Sequence, residues 1–298
     1  MQYIIILLCM IISLNASAKS PCTTFLRIGV DARSAGLGEA FCGLSDDVGA
    51  IYYNPAGLGF IEKSEVSLTH TNWLEDIGIE YGGLVYPFMD GHAIGLGMTY
   101  LHTQDIIERD KQGTATGRFR VYSFSTGLSY GYQVTKKVSL GASLKHIFES
   151  NPWSKINTNA VDAGVMWHPL SYISLGASVQ NIGSGVKVSK NEYNLPLILR
   201  VGMACKPINN LVLTVDSISL DGKKPFMAAG IEYGQGQTMI LRAGYETNKE
   251  NMVSFSGGMG FRIGEYHLDY AFVPHDDLGL THRVSICVKG HGIEAQRQ

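Results

Sequence analysis

The sequence predicts an all-β fold, an antiparallel outer-membrane β-barrel of about 14 strands with an N-terminal plug segment. Three observations carry this reading. Segments of roughly ten residues switch between apolar and polar at every position, as in Val138, Leu140, Ala142 and Leu144 against Ser139, Gly141, Ser143 and Lys145. The breaks between segments alternate short and long, the rhythm of turns and outer loops in such barrels. Charged residues make up 17% of the chain, below the roughly 25% of soluble domains, while 35 glycines and 15 tyrosines suit tight turns and interfacial rings. A formal net charge of −2 gives no electrostatic footprint for nucleic acid. No interior apolar run is long enough for a membrane-spanning helix.

Residues 1–18 read as a signal peptide, because Ile4 to Leu14 form an apolar core and Ala16-Ser17-Ala18 offers a small-residue cleavage site. Residues 19–65 form the expected plug segment, 66–289 the barrel, and 290–298 a polar tail. Strands are expected near 66–73, 79–87, 92–104, 119–132, 138–149, 158–168, 172–183, 195–206, 211–219, 225–234, 238–246, 252–262, 266–273 and 281–289. The breaks at Gln133 to Lys137, Pro169 to Ser171 and Gln235 to Gln237 are short, whereas those at Asp105 to Arg118 and Ser184 to Asn194 are longer. Short turns face the periplasm in these barrels, so an even strand number places both termini there. Tyr130, Tyr132, Trp167 and Tyr233 fall beside the short turns as one aromatic girdle, and Tyr100, Tyr122 and Tyr245 are candidates for the other. Arg200, Arg242, Arg262 and Lys145 share the polar parity of their strands with Glu232, Asp162, Asp216, Glu246 and Asp269. The lumen is therefore expected to be charged, as a filling network or as a polar route past a movable plug.

Within the plug, Ala32, Ala35, Gly36, Gly38, Ala40, Gly43, Gly49 and Ala50 let backbone pack closely, with a short helix expected around Ala32 to Phe41. Pro55 biases Asn54 toward an extended conformation, and the Asn54 side chain can bond nearby backbone. Asn54, Pro55, Ala56 and Gly57 thus form a rigid corner, a candidate for plug docking or for ligand contact. Cys22 and Cys42 both lie in the plug and can pair in an oxidising compartment. Cys205 and Cys287 face opposite ways and should not bridge.

No catalytic constellation emerges, and neither an enzyme nor a cofactor is expected. Gly36-Leu37-Gly38 fails the dinucleotide pattern because Phe41 stands where the third glycine belongs. The nine histidines show no metal-ligand spacing. Asp46-Asp47 and Asp276-Asp277 lack the periodicity of a calcium loop and read as solvated turns.

The stretch from Phe25-Leu26-Arg27-Ile28-Gly29-Val30-Asp31 to Gly38-Glu39-Ala40-Phe41, with Leu44-Ser45-Asp46-Asp47 and Ile51-Tyr52-Tyr53-Asn54-Pro55-Ala56-Gly57-Leu58 after it, resembles the PorV/PorQ family of outer-membrane proteins, themselves similar to FadL barrels. Leu268-Asp269-Tyr270-Ala271-Phe272-Val273-Pro274 and Leu278 to Ser285 resemble that family's closing hairpin. The resemblance implies a noncatalytic component or accessory of type IX protein secretion that docks exported cargo or a surface partner. Asp110, Lys111 and Gln112, at the tip of the longest expected loop, are then the candidate docking residues. Similarity to FadL implies instead a passive transporter of hydrophobic small molecules. The expected partners are outer-membrane lipid and, on the first reading, secretion components or cargo proteins.

Overall fold

The computed structural model describes residues 22–188, 191–235, 238–247, 253–275 and 279–292. The expected signal peptide and Asp276-Asp277 lie outside the described residues. The strands are β1 (Lys63–Asn72), β2 (Gly78–Met89), β3 (His92–His102), β4 (Ile106–Arg109), β5 (Ala115–Phe119), β6 (Tyr122–Thr135), β7 (Val138–Asn151), β8 (Ser154–Leu170) and β9 (Ile173–Ile182). They continue as β10 (Val186–Val188), β11 (Asn191–Tyr193), β12 (Ile198–Ile208), β13 (Leu211–Leu220), β14 (Phe226–Gln235), β15 (Met239–Thr247), β16 (Val253–Ile263), β17 (Tyr266–Pro274) and β18 (Leu280–Gly292).

Fourteen of these close into one antiparallel barrel, and the seam joins the first strand to the last, with Val66 opposite Val288 and Asn72 opposite His282. The other four form two separate hairpins, β4-β5 and β10-β11, inside the long connections. Their strands are too short for an alternating pattern to register in the sequence.

Alternation sorts side chains between two media. In β1, Glu65, Ser67, Thr69 and Thr71 are buried while Val66 and Leu68 are exposed. Leu96, Leu128, Leu144, Leu241 and Ile286 are exposed in the same way around the wall. An apolar outer surface and a polar interior invert the plan of a soluble protein, and they fit hydrocarbon as the outer solvent.

Connections at one end are short, at 90–91, 136–137, 171–172, 209–210, 236–238 and 264–265. At the other end they reach 103–121 and 183–197. One connection at the long-loop end departs from expectation, since only Pro152 and Trp153 separate β7 from β8, and both strands run on past their expected ends. Asn151 closes that tip by accepting from the backbone N–H of Trp153 (3.0 Å) and Ser154 (2.8 Å). The wall also reaches further at its seam. Lys63 pairs with Gly292, so residues 63–65 of the expected plug and 290–292 of the expected tail belong to strands.

The segment 22–62 lies inside the barrel. Its backbone begins at the long-loop end, where the Cys22 N–H donates to the Asn194 carbonyl (3.0 Å), and reaches the short-turn end only at β1. The expectation that the mature chain starts at the short-turn end is therefore corrected for Cys22. It assumed direct entry into the first strand, whereas some forty residues precede that strand and run the length of the lumen. The helix expected over 32–41 covers only Ala32–Gly36, capped by Asp31, whose carboxylate accepts from Ser34 N–H (2.7 Å). It stops where Gly38 turns to φ 65°, a left-handed conformation that glycine adopts freely.

Candidate functional site

A strand-free segment inside a barrel has backbone groups that no ladder satisfies, and each one left buried and unpaired is costly. Wall side chains supply the partners. Ser139 donates to the Ala56 carbonyl (2.7 Å) and Ser178 to that of Tyr53 (2.8 Å), while Ser285 accepts from Ala32 N–H (2.9 Å). One Asp216 oxygen accepts from the N–H groups of both Phe41 (3.0 Å) and Cys42 (2.8 Å).

The corner anticipated at Asn54 is fully buried. Its amide oxygen accepts from Ala56 N–H (3.2 Å), which caps the 3₁₀ turn Pro55–Phe60, and its amide nitrogen donates to the carbonyls of Cys42 (3.2 Å) and Val165 (3.1 Å). It thus ties the segment to itself and to β8. The wall beneath is bare. A side chain at Gly141 would collide with the backbone of Pro55 and Ala56, one at Gly164 with the Asn54 amide, and one at Gly176 with the Cys42 carbonyl. Replacing Asn54 with Ala should cost docking about 1 to 3 kcal/mol, through the carbonyls left unpaired. Limited proteolysis of the folded barrel should then cut within residues 46–60, which should resist cleavage in the wild type; an unaltered digest would show that the corner anchors nothing.

Charge completes the attachment. Arg33 bridges Asp46 (2.7 Å), Asp47 (2.6 Å) and the wall residue Glu232 (2.9 Å). Glu232 also holds Arg242 (2.7 Å), which in turn holds Asp269 (2.6 Å), and Lys206 reaches Asp46 (2.8 Å). Nearer the long-loop end, Glu39 binds Arg283 (2.9 Å) and accepts from the Tyr53 hydroxyl, and Arg27 pairs with Asp221. Burial alone would raise Asp46, but Arg33 and Lys206 outweigh it and hold the group below the usual carboxylate range. Among the described residues no cation pairs with the Asp31 carboxylate, and burial followed by the nearby Asp47 charge pushes it up to about 7.

Cavities flank the segment. One of about 40 Å³ lies between Phe25, Leu26, Ile28, Ile51 and Tyr52 of the segment and the inner wall of β2, β3, β6, β7 and β8. Another, about 270 Å³, lies across the segment beside Arg27, Glu39, Trp73 and Arg283. Toward the short-turn end, one of about 100 Å³ is lined by Leu44, Phe60, Met166, His168 and Ile173, and one of about 40 Å³ by Asp31, Arg33, Arg262, His267 and Lys289. Asn54, Pro55, Ala56 and Gly57 line none of these four.

The chain is similar in structure to the toluene transporter TbuX of Ralstonia pickettii, at a TM-score of 0.63 and 16% identity over 88% of this chain and 97% of TbuX. It is similar to the toluene transporter TodX of Pseudomonas putida at 0.62 and 12%, over 88% and 96%. A Pseudomonas aeruginosa FadL homologue gives 0.58 and 14%, over 88% and 98%. The fold is that of the FadL-like outer-membrane barrels. In sequence, residues 17–157 match the Uncharacterised protein family UPF0164. No curated protein matches the chain.

On this FadL-like frame, Asp110, Lys111 and Gln112 cap the β4-β5 hairpin at the long-loop end. The Asp110 carboxylate accepts from Gln112 N–H (2.9 Å) and Thr114 N–H (2.8 Å), which makes the tip self-contained. Cys22 and Cys42 do not pair. Cys22 sits by Asn194, while Cys42 is buried in the bed formed by Asn54, Ser178 and Arg200. Cys205 and Cys287 are likewise free. Asp46 and Asp47, read from the sequence as a solvated turn, are instead the acceptors of Arg33. Sequence reasoning missed Arg33, Glu39 and this acidic pair as a set. The available signal was their presence in a stretch otherwise built of small residues for burial.

Proposed function

We propose that this protein is a noncatalytic, passive outer-membrane transporter for hydrophobic small molecules, with the lumenal segment as its plug and the short turns in the periplasm. The observation that carries the reading is the apolar face that Phe25, Leu26, Ile28, Ile51 and Tyr52 of the segment turn toward the lumenal cavity they line. TbuX and TodX are toluene transporters of the same fold, which supports uptake over the secretion role that the family resemblance implied. Cargo enters from the long-loop end, rests against the apolar face, and leaves past the plug through the cavity beside Phe60 and His168.

Uptake of radiolabelled toluene by cells expressing the protein, against cells without it, tests the proposal. Faster uptake is expected, and equal rates would remove it. Deleting residues 110–117, a hairpin tip outside the cavity, should leave uptake and barrel mobility unchanged. Lost secretion with uptake absent from the start would restore the docking role for Asp110, Lys111 and Gln112. Orientation has its own check. Cysteine introduced at Gly113 or Ser184 should react with an impermeant maleimide on intact cells, whereas cysteine at Thr135 should not; the reverse pattern would invert the assigned topology.

A further inference from the structure

Asp31 stands before the helix Ala32–Gly36 with half of its carboxylate unused. The residue is 6% exposed; one oxygen accepts from Ser34 N–H (2.7 Å), and the other is buried with no hydrogen-bond partner among the described residues. The charge that acts on it most strongly has the same sign. A Cβ built on Gly49 would lie 3.0 Å from that free Asp31 oxygen and 3.0 Å from an Asp47 oxygen, so the two carboxylates crowd one glycine.

The cations around Asp31 are engaged elsewhere. Arg33 serves Asp46, Asp47 and Glu232, and Arg242 of β15 serves Glu232 and Asp269. On β18, Arg283 holds Glu39 and Lys289 holds Glu65 of β1. Arg262 of β16 stands opposite His267 of β17, two residues nearer the short turn than the rung of Gly260, Asp269 and Ser285 on which the helix rests, and among the described residues it makes no ion pair with Asp31. Tyr53 of the segment, Tyr81 of β2 and Cys287 of β18 also face this region and are uncharged at neutral pH. An ionised Asp31 would therefore be a buried charge without compensation, whereas the neutral carboxyl leaves at worst one unused donor, the lesser cost.

This acid sits where the segment meets the wall. Ala32 N–H donates to Ser285 (2.9 Å), Ala32 and Ala35 pack on Ala271, and a Cβ at Gly36 would lie 3.3 Å from the Arg242 side chain and the Gly258 backbone. We propose that Asp31 is a proton-held latch on the lumenal segment: neutral, it lets the helix Ala32–Gly36 seat against β15 to β18, and ionised, it drives the helix off, so the lumen closes in acid and opens toward alkali. As a control of passage the latch rests on the transport reading; as a property of the seat it does not. The seated carboxyl is pushed up to about 7, and once released into water it returns to about 3.9. Seating thus takes up one proton between those limits. It is strongest at the acid end of the window, weakens as pH rises through it, and is level above it.

Hydrogen exchange of the full-length barrel in detergent reads the seat without any cargo. Protection of the amides of residues 32–45, normalised to the intrinsic exchange rate at each pH and referred to the strands, should fall on the order of 100-fold from pH 5 to pH 8. Asp31→Asn keeps an oxygen for Ser34 N–H but cannot ionise, and should lose that slope. A variant that keeps it would assign the titration to His267 or another group and overturn the latch. Asp47→Asn leaves Asp31 in place without its like-charged neighbour, and should move the midpoint to lower pH; an unmoved midpoint would also overturn it. A flat wild-type profile with toluene uptake intact would remove the latch and leave transport standing. A slope that Asp31→Asn abolishes, in a protein that takes up no toluene, would keep the latch and remove transport.

Discussion

Replacing Arg33 with Ala should release the lumenal segment from the wall at a cost of about 3 to 5 kcal/mol, the range for breaking a buried ion pair by deleting one partner. Among the described residues, Arg33 alone touches Asp46, Asp47 and Glu232 together, at 2.7, 2.6 and 2.9 Å. After its loss Glu232 keeps Arg242 and Asp46 keeps Lys206, but among the described residues Asp47 retains only the Gly49 N–H (2.8 Å). Asp46 is about a third exposed, so water screens its share, and most of the loss comes from Asp47 and Glu232. Arg33→Lys should recover part of the effect, because an ammonium meets one carboxylate well but cannot span three. The measurement is protease sensitivity of residues 22–62 alongside heat-modifiable gel mobility of the barrel. Greater cleavage with normal mobility is expected. A segment as resistant as the wild type would show that the ion network is dispensable.

Gly141→Val should displace the same segment by a different route. A Cβ there collides with backbone atoms of Pro55 and Ala56, which have no rotamer to escape into, so the 3₁₀ turn Pro55–Phe60 must lift off the wall. Overpacking of this kind costs about 1 to 3 kcal/mol, and more where neither side yields. Ala142→Val is the control, because Ala142 is the next residue on β7 but lies on the exposed face. Cells carrying the Gly141 variant should admit a large hydrophilic antibiotic that cells carrying the wild type should exclude. Equal resistance in both variants would mean that the segment does not seal the lumen at this point.

What could be read from the sequence follows from distance along the chain. Facing is a local property with a period of two, and lipid and lumen differ sharply, so Val66 and Leu68 against Ser67 and Thr69 announce their sides without knowledge of any partner. The burial of Arg200, Arg242, Asp162, Asp216 and Glu232 was legible for the same reason. Arg33 with Glu232, 199 positions apart, and Glu39 with Arg283, 244 apart, were not, because nothing local marks which inward charge will meet which. The Cys22 and Cys42 expectation failed on the same ground. Nearness in sequence implied nearness in space, but the segment between them travels along the barrel axis.

That path has a mechanical consequence. Among the described residues the lumenal segment is joined covalently to the wall at Lys63, while its other end is held by the packing of Phe25 and Leu26 on Ile147, Ala160 and Leu195, the Cys22 to Asn194 hydrogen bond and the Arg27 to Asp221 pair. On the transport reading proposed above, it is a cork on a single short tether. Withdrawing it breaks side-chain contacts and the Cys22 to Asn194 backbone bond but no rung of the ladder that closes β1 on β18, so the work of uncorking is separate from the work of dismantling the barrel. A sequence could therefore retune how readily the lumen opens, through a handful of serines, glycines and charges, while the cylinder keeps its full mechanical strength.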